Sequence, residues 1–138
     1  MIHFTVIGTP RGAPRPRRAM YGKGVYVPDT AKPFEDAIRL AALPHRPPAL
    51  LSSPIHLSLS FRIQRPKTHF NKKGEIKPNA PVWCPRKPDL DNAIKVVLDV
   101  LTECQFWVDD AEVTHLNATK RWAGGMNLPG VFIEIGEQ

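Results

Sequence analysis

Residues 55–63, IHLSLSFRI, place Ile55, Leu57, Leu59, Phe61 and Ile63 on one side of an extended chain and His56, Ser58, Ser60 and Arg62 on the other. Unbroken alternation over this length suits a strand with one covered face and excludes an amphipathic helix, whose apolar positions recur every three or four residues. Other segments must therefore supply neighbouring strands and a cover. Residues 2–7 alternate Ile2, Phe4 and Val6 with His3 and Thr5, residues 131–135 space Val131, Ile133 and Ile135, and 111–122 alternate imperfectly, which predicts a bulge. The cover comes from two helical patterns. One runs from a cap at Asp29 or Thr30 to about residue 43, with Pro33 in its first turn, Phe34, Ala37, Ile38 and Ala41 on one face, and Pro44 as its stop. The second spans 89–104, with Leu90, Ile94, Val97, Leu98 and Leu101 at helical spacing and Asp91, Lys95 and Asp99 opposite. The order β-α-β-α-β-β predicts an α+β fold: a small mixed β-sheet of about four strands with two main helices. A length of 138 residues fits a single domain, 1–138, with no room for a second comparable core.

The 15 prolines fall largely outside these elements. They mark residues 9–28 as an irregular basic arm and 64–88 as a long proline- and lysine-rich loop. A loop of that length with no structure of its own is usually functional or disordered, and beside the acidic segment that follows it reads as a substrate-contacting flap. The net charge of +6 is unevenly spread: residues 1–28 hold five basic residues and no acid, and 62–88 hold eight against Glu75 alone. Residues 89–113 invert this, with seven acids against Lys95. Basic arms suit a polyanion such as DNA, and an acidic centre would repel it unless cations screen that centre. Arg15, Arg17, Arg18, Lys72, Lys73, Lys77, Arg86 and Lys87 are the candidate phosphate contacts, with a solvated surface charge as the alternative for each. Neither a signal peptide nor a membrane span is evident, so a soluble, cytoplasmic protein is expected. Cys84 and Cys104, twenty residues apart with no CxxC, read as reduced thiols. Trp83, Trp107 and Trp122 read foremost as packing residues and secondarily as stacking platforms. His3 and His56 should be surface residues, whereas His69 and His115 are weak candidates for approach to a metal.

The acidic centre has internal order. Asp89 and Asp91 flank Leu90 where the second helix begins, Lys95 follows Asp91 by one turn, and Asp109–Asp110 come after the helix. If the chain folds back, three carboxylates converge, and hard oxygen ligands of this kind suit Mg²⁺, with Mn²⁺ as a substitute. Simpler readings stand beside this one. Asp89 suits an N-cap, Asp91 and Lys95 an i,i+4 pair worth a few tenths of a kcal/mol, and Asp109–Asp110 a turn.

At these residues the sequence resembles the RusA family of Holliday-junction resolvases. The resembling stretch is KPDLDNAIKVVLDVLTECQFWVDDAEVTHLNATKR, residues 87–121. It carries the family's D-L-D-N run, a lysine four residues after the second aspartate, and a later DD preceded by the aromatics Phe106 and Trp107. Elsewhere the chain agrees in the order of elements rather than in motif. The resemblance implies a RusA-like fold and a Mg²⁺-dependent endodeoxyribonuclease, phage- or prophage-associated, acting as a homodimer that binds four-way junction DNA and nicks two opposing strands. It places metal-binding aspartates at Asp89, Asp91 and Asp110, a less critical neighbour at Asp109, the catalytic lysine at Lys95, and a motif asparagine at Asn92. Two alternatives remain: a non-catalytic binder of branched DNA, and a nuclease of the same fold acting on flaps or forks.

Overall fold

The computed structural model describes residues 1–14, 17–18, 24–26, 30–125 and 128–137, with only the backbone described at 17, 18, 25 and 26. Among these residues six strands and two helices follow in the order β-β-β-α-β-α-β-β. The strands are β1 (Ile2–Ile7), β2 (Arg17–Arg18), β3 (Val25–Tyr26), β4 (Ile55–Ile63), β5 (Val113–Trp122) and β6 (Gly130–Glu137), and the helices are α1 (Lys32–Ala42) and α2 (Leu90–Glu103). The main sheet has the order β1-β6-β4-β5. β4 and β5 run parallel, joined by α2, and the other pairs are antiparallel, so the sheet is mixed as expected. The 55–63 alternation is the observed β4, with its five apolar residues all buried and its polar residues half-exposed.

Both helices cover one face of the sheet. α1 buries Phe34, Ile38 and Ala42, and α2 buries Ala93, Val96, Val97, Val100 and Leu101, all in one core with the inward residues of β1, β4 and β6. The α2 face is turned from the expected one: Leu90, Ile94 and Leu98 lie at its margin, only partly buried. α2 contacts α1 as well as the sheet, and this draws the smaller Ala93, Val96 and Val100 into the centre. α1 begins without a side-chain cap, its N-cap being Ala31 rather than Thr30, and Asp29 lies outside the described residues. Pro44 does not stop the chain abruptly, because a 3-10 turn continues over Leu43–His45.

The predicted bulge is present: Ile55 pairs with Val113 but His56 with His115, so Thr114 is the extra residue in β5. The basic arm is less irregular than its composition suggests, since β2 and β3 form a two-residue antiparallel ladder. The 64–88 loop is likewise folded. Asn71 Oδ1 accepts from the backbone N–H groups of Lys73 and Glu75, Phe70 bridges Ile76, and residues 82–84 add to the free edge of β5. Arg65 anchors it: only 9% exposed, it donates to the carbonyls of Ala123 (2.7 Å) and Pro81 (2.9 Å). The two cysteines are free thiols, and no helix among the described residues is long and apolar enough to cross a membrane.

Candidate active site

α2 runs back along the sheet, so its first turn sits at the C-terminal ends of β4 and β5. Asp89 takes the N-cap position with extended backbone (φ −64°, ψ 139°), and its carbonyl accepts the first helical bond from Ala93. Its carboxylate makes no side-chain cap bond; instead Lys87 Nζ donates to Asp89 Oδ1 at 2.8 Å. Asp91 follows in the first turn and is exposed. The positive end of the helix dipole favours both carboxylates here. The turn preceding them is held by Lys120 of β5, whose ammonium donates to the carbonyls of Arg86 and Pro88, the latter at 2.7 Å.

Asp89 opens onto a groove of about 590 Å³ between the start of α2, the end of β4 and residues 9–14, with Arg11, Gln64, Lys87 and Asn92 on its walls. The arm residues reach the helix closely: Ala13 donates its N–H to Asn92 O at 3.0 Å, and a Cβ on Gly12 would lie 2.9 Å from the Asn92 Cβ. Only glycine at position 12 allows that approach without displacement. Asn92, the motif asparagine, thus accepts a hydrogen bond through its backbone carbonyl at the helix start. Arg11 and Gln64 were not among the predicted contacts, because nothing in their local sequence distinguishes them from other polar loop residues.

The chain leaves α2 through a tight turn. Phe106 N–H bonds to Leu101 O and Gln105 N–H to Thr102 O, with Gln105 left-handed at φ 65°, the pattern of a Schellman cap. Phe106 and Trp107 then plunge into the core, 0% and 1% exposed, and the chain resurfaces at Asp109–Asp110. Asp109 Oδ1 accepts the Ala111 N–H at 3.0 Å, starting a 3-10 turn over Asp110–Glu112. That bond, with a hydrogen bond shared with Asp110, holds the Asp109 carboxyl below the ordinary range. The shared bond with Asp109 pushes Asp110 up, burial and the charges of Asp109 and Asp99 add to this, and Lys95 opposes it.

The electrostatic neighbours of Asp110 therefore include Asp99 and Lys95, on the middle of α2. Lys95 pairs with Asp99 (3.5 Å), one turn on, and not with Asp91 as the i,i+4 reading predicts. Asp99 lies two turns, about 12 Å along the axis, beyond Asp91. Among the described residues no three of His, Cys, Asp or Glu form a group that could hold a metal ion. The chain thus shows Asp89 at the groove with Asp91 beside it in the first turn of α2, and an Asp99–Asp109–Asp110–Lys95 neighbourhood lower on α2. The donor chemistry, all carboxylate oxygen, fits Mg²⁺ or Mn²⁺ with several retained waters.

Of the predicted phosphate contacts, Arg86 and Lys87 precede the aspartates, and Lys72, Lys73 and Lys77 are exposed on the 64–88 loop. Arg15 lies outside the described residues, and Arg17 and Arg18 are placed only as backbone in β2. His69 packs edge-on to Trp122 (5.1 Å), and His115 stacks on His56 at 4.0 Å. His56 is therefore not a free surface residue, and its Nε2 is buried without a partner.

The model of the family described as endodeoxyribonuclease RusA matches residues 8–136. The chain is also 33% identical over 129 residues to "Uncharacterized protein YqaN" of Bacillus subtilis (strain 168), with 86% of each chain covered. With nearly its whole length matched, the chain belongs to the RusA family of endodeoxyribonucleases.

Proposed function

We propose that the chain is a Mg²⁺-dependent structure-specific endonuclease that resolves four-way DNA junctions by paired nicks on opposing strands, in DNA recombination and repair. The observation that carries this reading is Asp89 at the opening of α2, on a groove walled by Arg11 and Lys87, with Asp91 in the first turn beyond it, in a chain of an endodeoxyribonuclease family. Asp89 and Asp91 would hold the metal, with Asp110 as the further ligand that the family motif implies. Bound there, a divalent ion supplies charge neutralisation at a phosphodiester and an acidified water.

The remaining roles fall to the chain's own side chains. Lys95, exposed and one turn past Asp91, offers its ammonium to a phosphate oxygen. Lys87, 84% exposed, neutralises Asp89 in the protein alone and can turn to a phosphate once that carboxylate is otherwise balanced. We infer a homodimer as the working form, because paired nicks on a roughly two-fold junction need two sites. A dimer also brings a second Asp109–Asp110 doublet. Its interface is where the third carboxylate is to be sought, given that one protomer's described residues form no three-carboxylate group. A cytoplasmic location follows from a DNA substrate.

The test is incubation of the protein with a labelled four-way junction, a linear duplex and a flap, with and without Mg²⁺. Symmetric nicks confined to the junction, and lost without Mg²⁺, are expected. Preferential cutting of the flap reassigns the substrate within the same chemistry, and tight junction binding without cutting in Mg²⁺ or Mn²⁺ makes the chain a branched-DNA binder. Among the described residues, Lys72 and Lys73 have no carboxylate partner. Lys72→Ala with Lys73→Ala is therefore expected to weaken junction binding and reduce the slope of log affinity against log salt by about one to two, at roughly 0.9 per phosphate contact. An unchanged slope removes this loop from the DNA surface.

A further inference from the structure

The sheet face opposite the helices is polar, and its two arginines are concentrated at one end. Arg62 on β4 and Arg121 on β5 are register partners on adjacent parallel strands, so like charges stand side by side. Neighbouring strands are only about 4.8 Å apart, and such a pair is unfavourable unless something answers its charge. Among the described residues neither arginine has a carboxylate within ion-pair distance, and the recorded hydrogen bond of Arg62 runs from Nε to the Leu128 carbonyl at 3.0 Å. Burial and the charge of Arg121 push the Arg62 guanidinium below its ordinary value, though a guanidinium stays charged at neutral pH.

The next position across the row is Trp83. Residues 82–84 extend the sheet beyond β5 through Cys84 N–H to Lys120 O (3.2 Å) and Trp122 N–H to Val82 O (2.8 Å). This sets Trp83 directly opposite Arg121, on the same face. The Arg121 guanidinium lies 5.0 Å from the ring centroid, and Trp83 is still 57% exposed. A large aromatic held by a strand ladder with more than half its surface in water, beside two arginines that have no carboxylate partner among the described residues, is not explained by burial. The row is also tied to the aspartates. Lys120, next to Arg121 but facing the other side of β5, clamps the turn at Arg86 and Pro88 just before Asp89. The C-terminal end of β4 and β5 thus carries Arg121 and Trp83 on one face and, through Lys120, holds the turn that bears Lys87 and Asp89 on the other.

We propose that Trp83, Arg121 and Arg62 form a nucleotide-binding patch for an unpaired stretch of the DNA substrate, with a base stacked on the indole and its phosphates on the two guanidiniums. Guanidiniums recognise phosphate oxygens through paired N–H donors, and an exposed indole accepts any base on its face. The patch selects DNA that can splay a nucleotide, such as a branch point or a single-stranded end, over closed duplex. This inference rests on the reading of the chain as a DNA nuclease and deepens it.

The test uses the full chain with Ca²⁺ in place of Mg²⁺, titrated with a synthetic four-way junction, a single-stranded oligonucleotide and a blunt duplex. Trp107 and Trp122 are only 1% and 7% exposed, so Trp83 is the tryptophan that a base can reach. Quenching of tryptophan fluorescence by the junction and the single strand, but not by the blunt duplex, is expected. Trp83→Ala should weaken junction binding by about tenfold, within the range for loss of one stacked base, and Trp83→Phe should restore most of it. Arg121→Gln should lower the salt slope by about one. In Mg²⁺, Trp83→Ala should raise the junction concentration needed for half-maximal nicking and leave the saturated rate unchanged. Trp83→Ala protein that binds the junction within twofold of wild type, while wild type still nicks it, overturns the patch and leaves the nuclease reading intact. Dissociation of a dimer by Trp83→Ala also overturns it, in favour of a contact between protein copies. Wild-type protein that binds none of the three DNAs overturns both readings.

Discussion

Asp91→Asn is expected to abolish strand cleavage while junction binding is kept or strengthened. Asp91 is exposed in the first turn of α2 and has no ion pair among the described residues, so an isosteric amide costs the fold little. On the proposed reading two things change: one hard anionic ligand is lost, and one negative charge is removed from a surface that is to accept phosphates. Charge stabilisation by a bound divalent ion is worth several kcal/mol, so the nicking rate should fall by at least about a thousandfold at 1.36 kcal/mol per decade. Nicking of labelled junction in Mg²⁺, beside anisotropy of the same junction and a thermal melt, separates the effects. Unchanged melting and binding with no nicks is the expected pattern. Cleavage within tenfold of wild type removes Asp91 from the metal site, and joint loss of binding and cleavage makes its role one of DNA contact or folding.

Local pattern reveals some of this architecture and geometry hides the rest. β4 is legible because its alternation is set by which face the helices cover, and the start of α2 because Asp89 and Asp91 precede an apolar series of helical spacing, although that series misplaces the buried face. The turn after α2 leaves no such mark. Its left-handed residue is Gln105, where glycine or asparagine would be the recognisable sign, and its side chain is held by Arg46, 59 residues away. Arg65 reads as one more loop cation, yet it is buried against carbonyls of Pro81 and Ala123, which sequence proximity does not foretell. The stacking of His56 on His115 depends on the parallel register of β4 and β5, and the bulge at Thr114 sets that register. The same limit applies at the site. Spacing marks all four acidic positions, but whether Asp110 joins Asp91 or Asp99 depends on how far back the 105–109 turn carries the chain. In this structure its electrostatic neighbours include Asp99 and Lys95. The position of Trp83 was equally hidden, because an exposed and a buried tryptophan look alike until the edge of β5 takes on residues 82–84.

Trp107→Ala is expected to cost about 3–5 kcal/mol of stability, the range for deleting a large buried aromatic. The indole is 1% exposed, touches Phe106 edge-on at 6.4 Å, and donates Nε1–H to Thr102 Oγ1 at 2.7 Å. That hydroxyl donates in turn to Leu98 O at 2.8 Å, so Trp107 is bonded to the last turns of α2 as well as packed beneath them. Native domains hold only about 5–15 kcal/mol in total, and each kcal/mol shifts the melting temperature by about 2–8 °C, so a drop on the order of 10–20 °C should follow. The site should suffer separately from the fold. Trp107 is two residues before Asp109, and its loss releases the segment that holds the doublet near Lys95 and Asp99. Trp107→Phe keeps an aromatic ring in the cavity and gives up the N–H bond, while Thr102 retains its bond to Leu98. Its melting temperature should fall by less than half as much, with nicking preserved. Thermal melts of the two variants, with nicking measured well below both transitions, distinguish packing from placement. If Trp107→Ala nicks as fast as wild type at low temperature, the doublet's position does not depend on its anchor, and the importance of Trp107 is confined to stability.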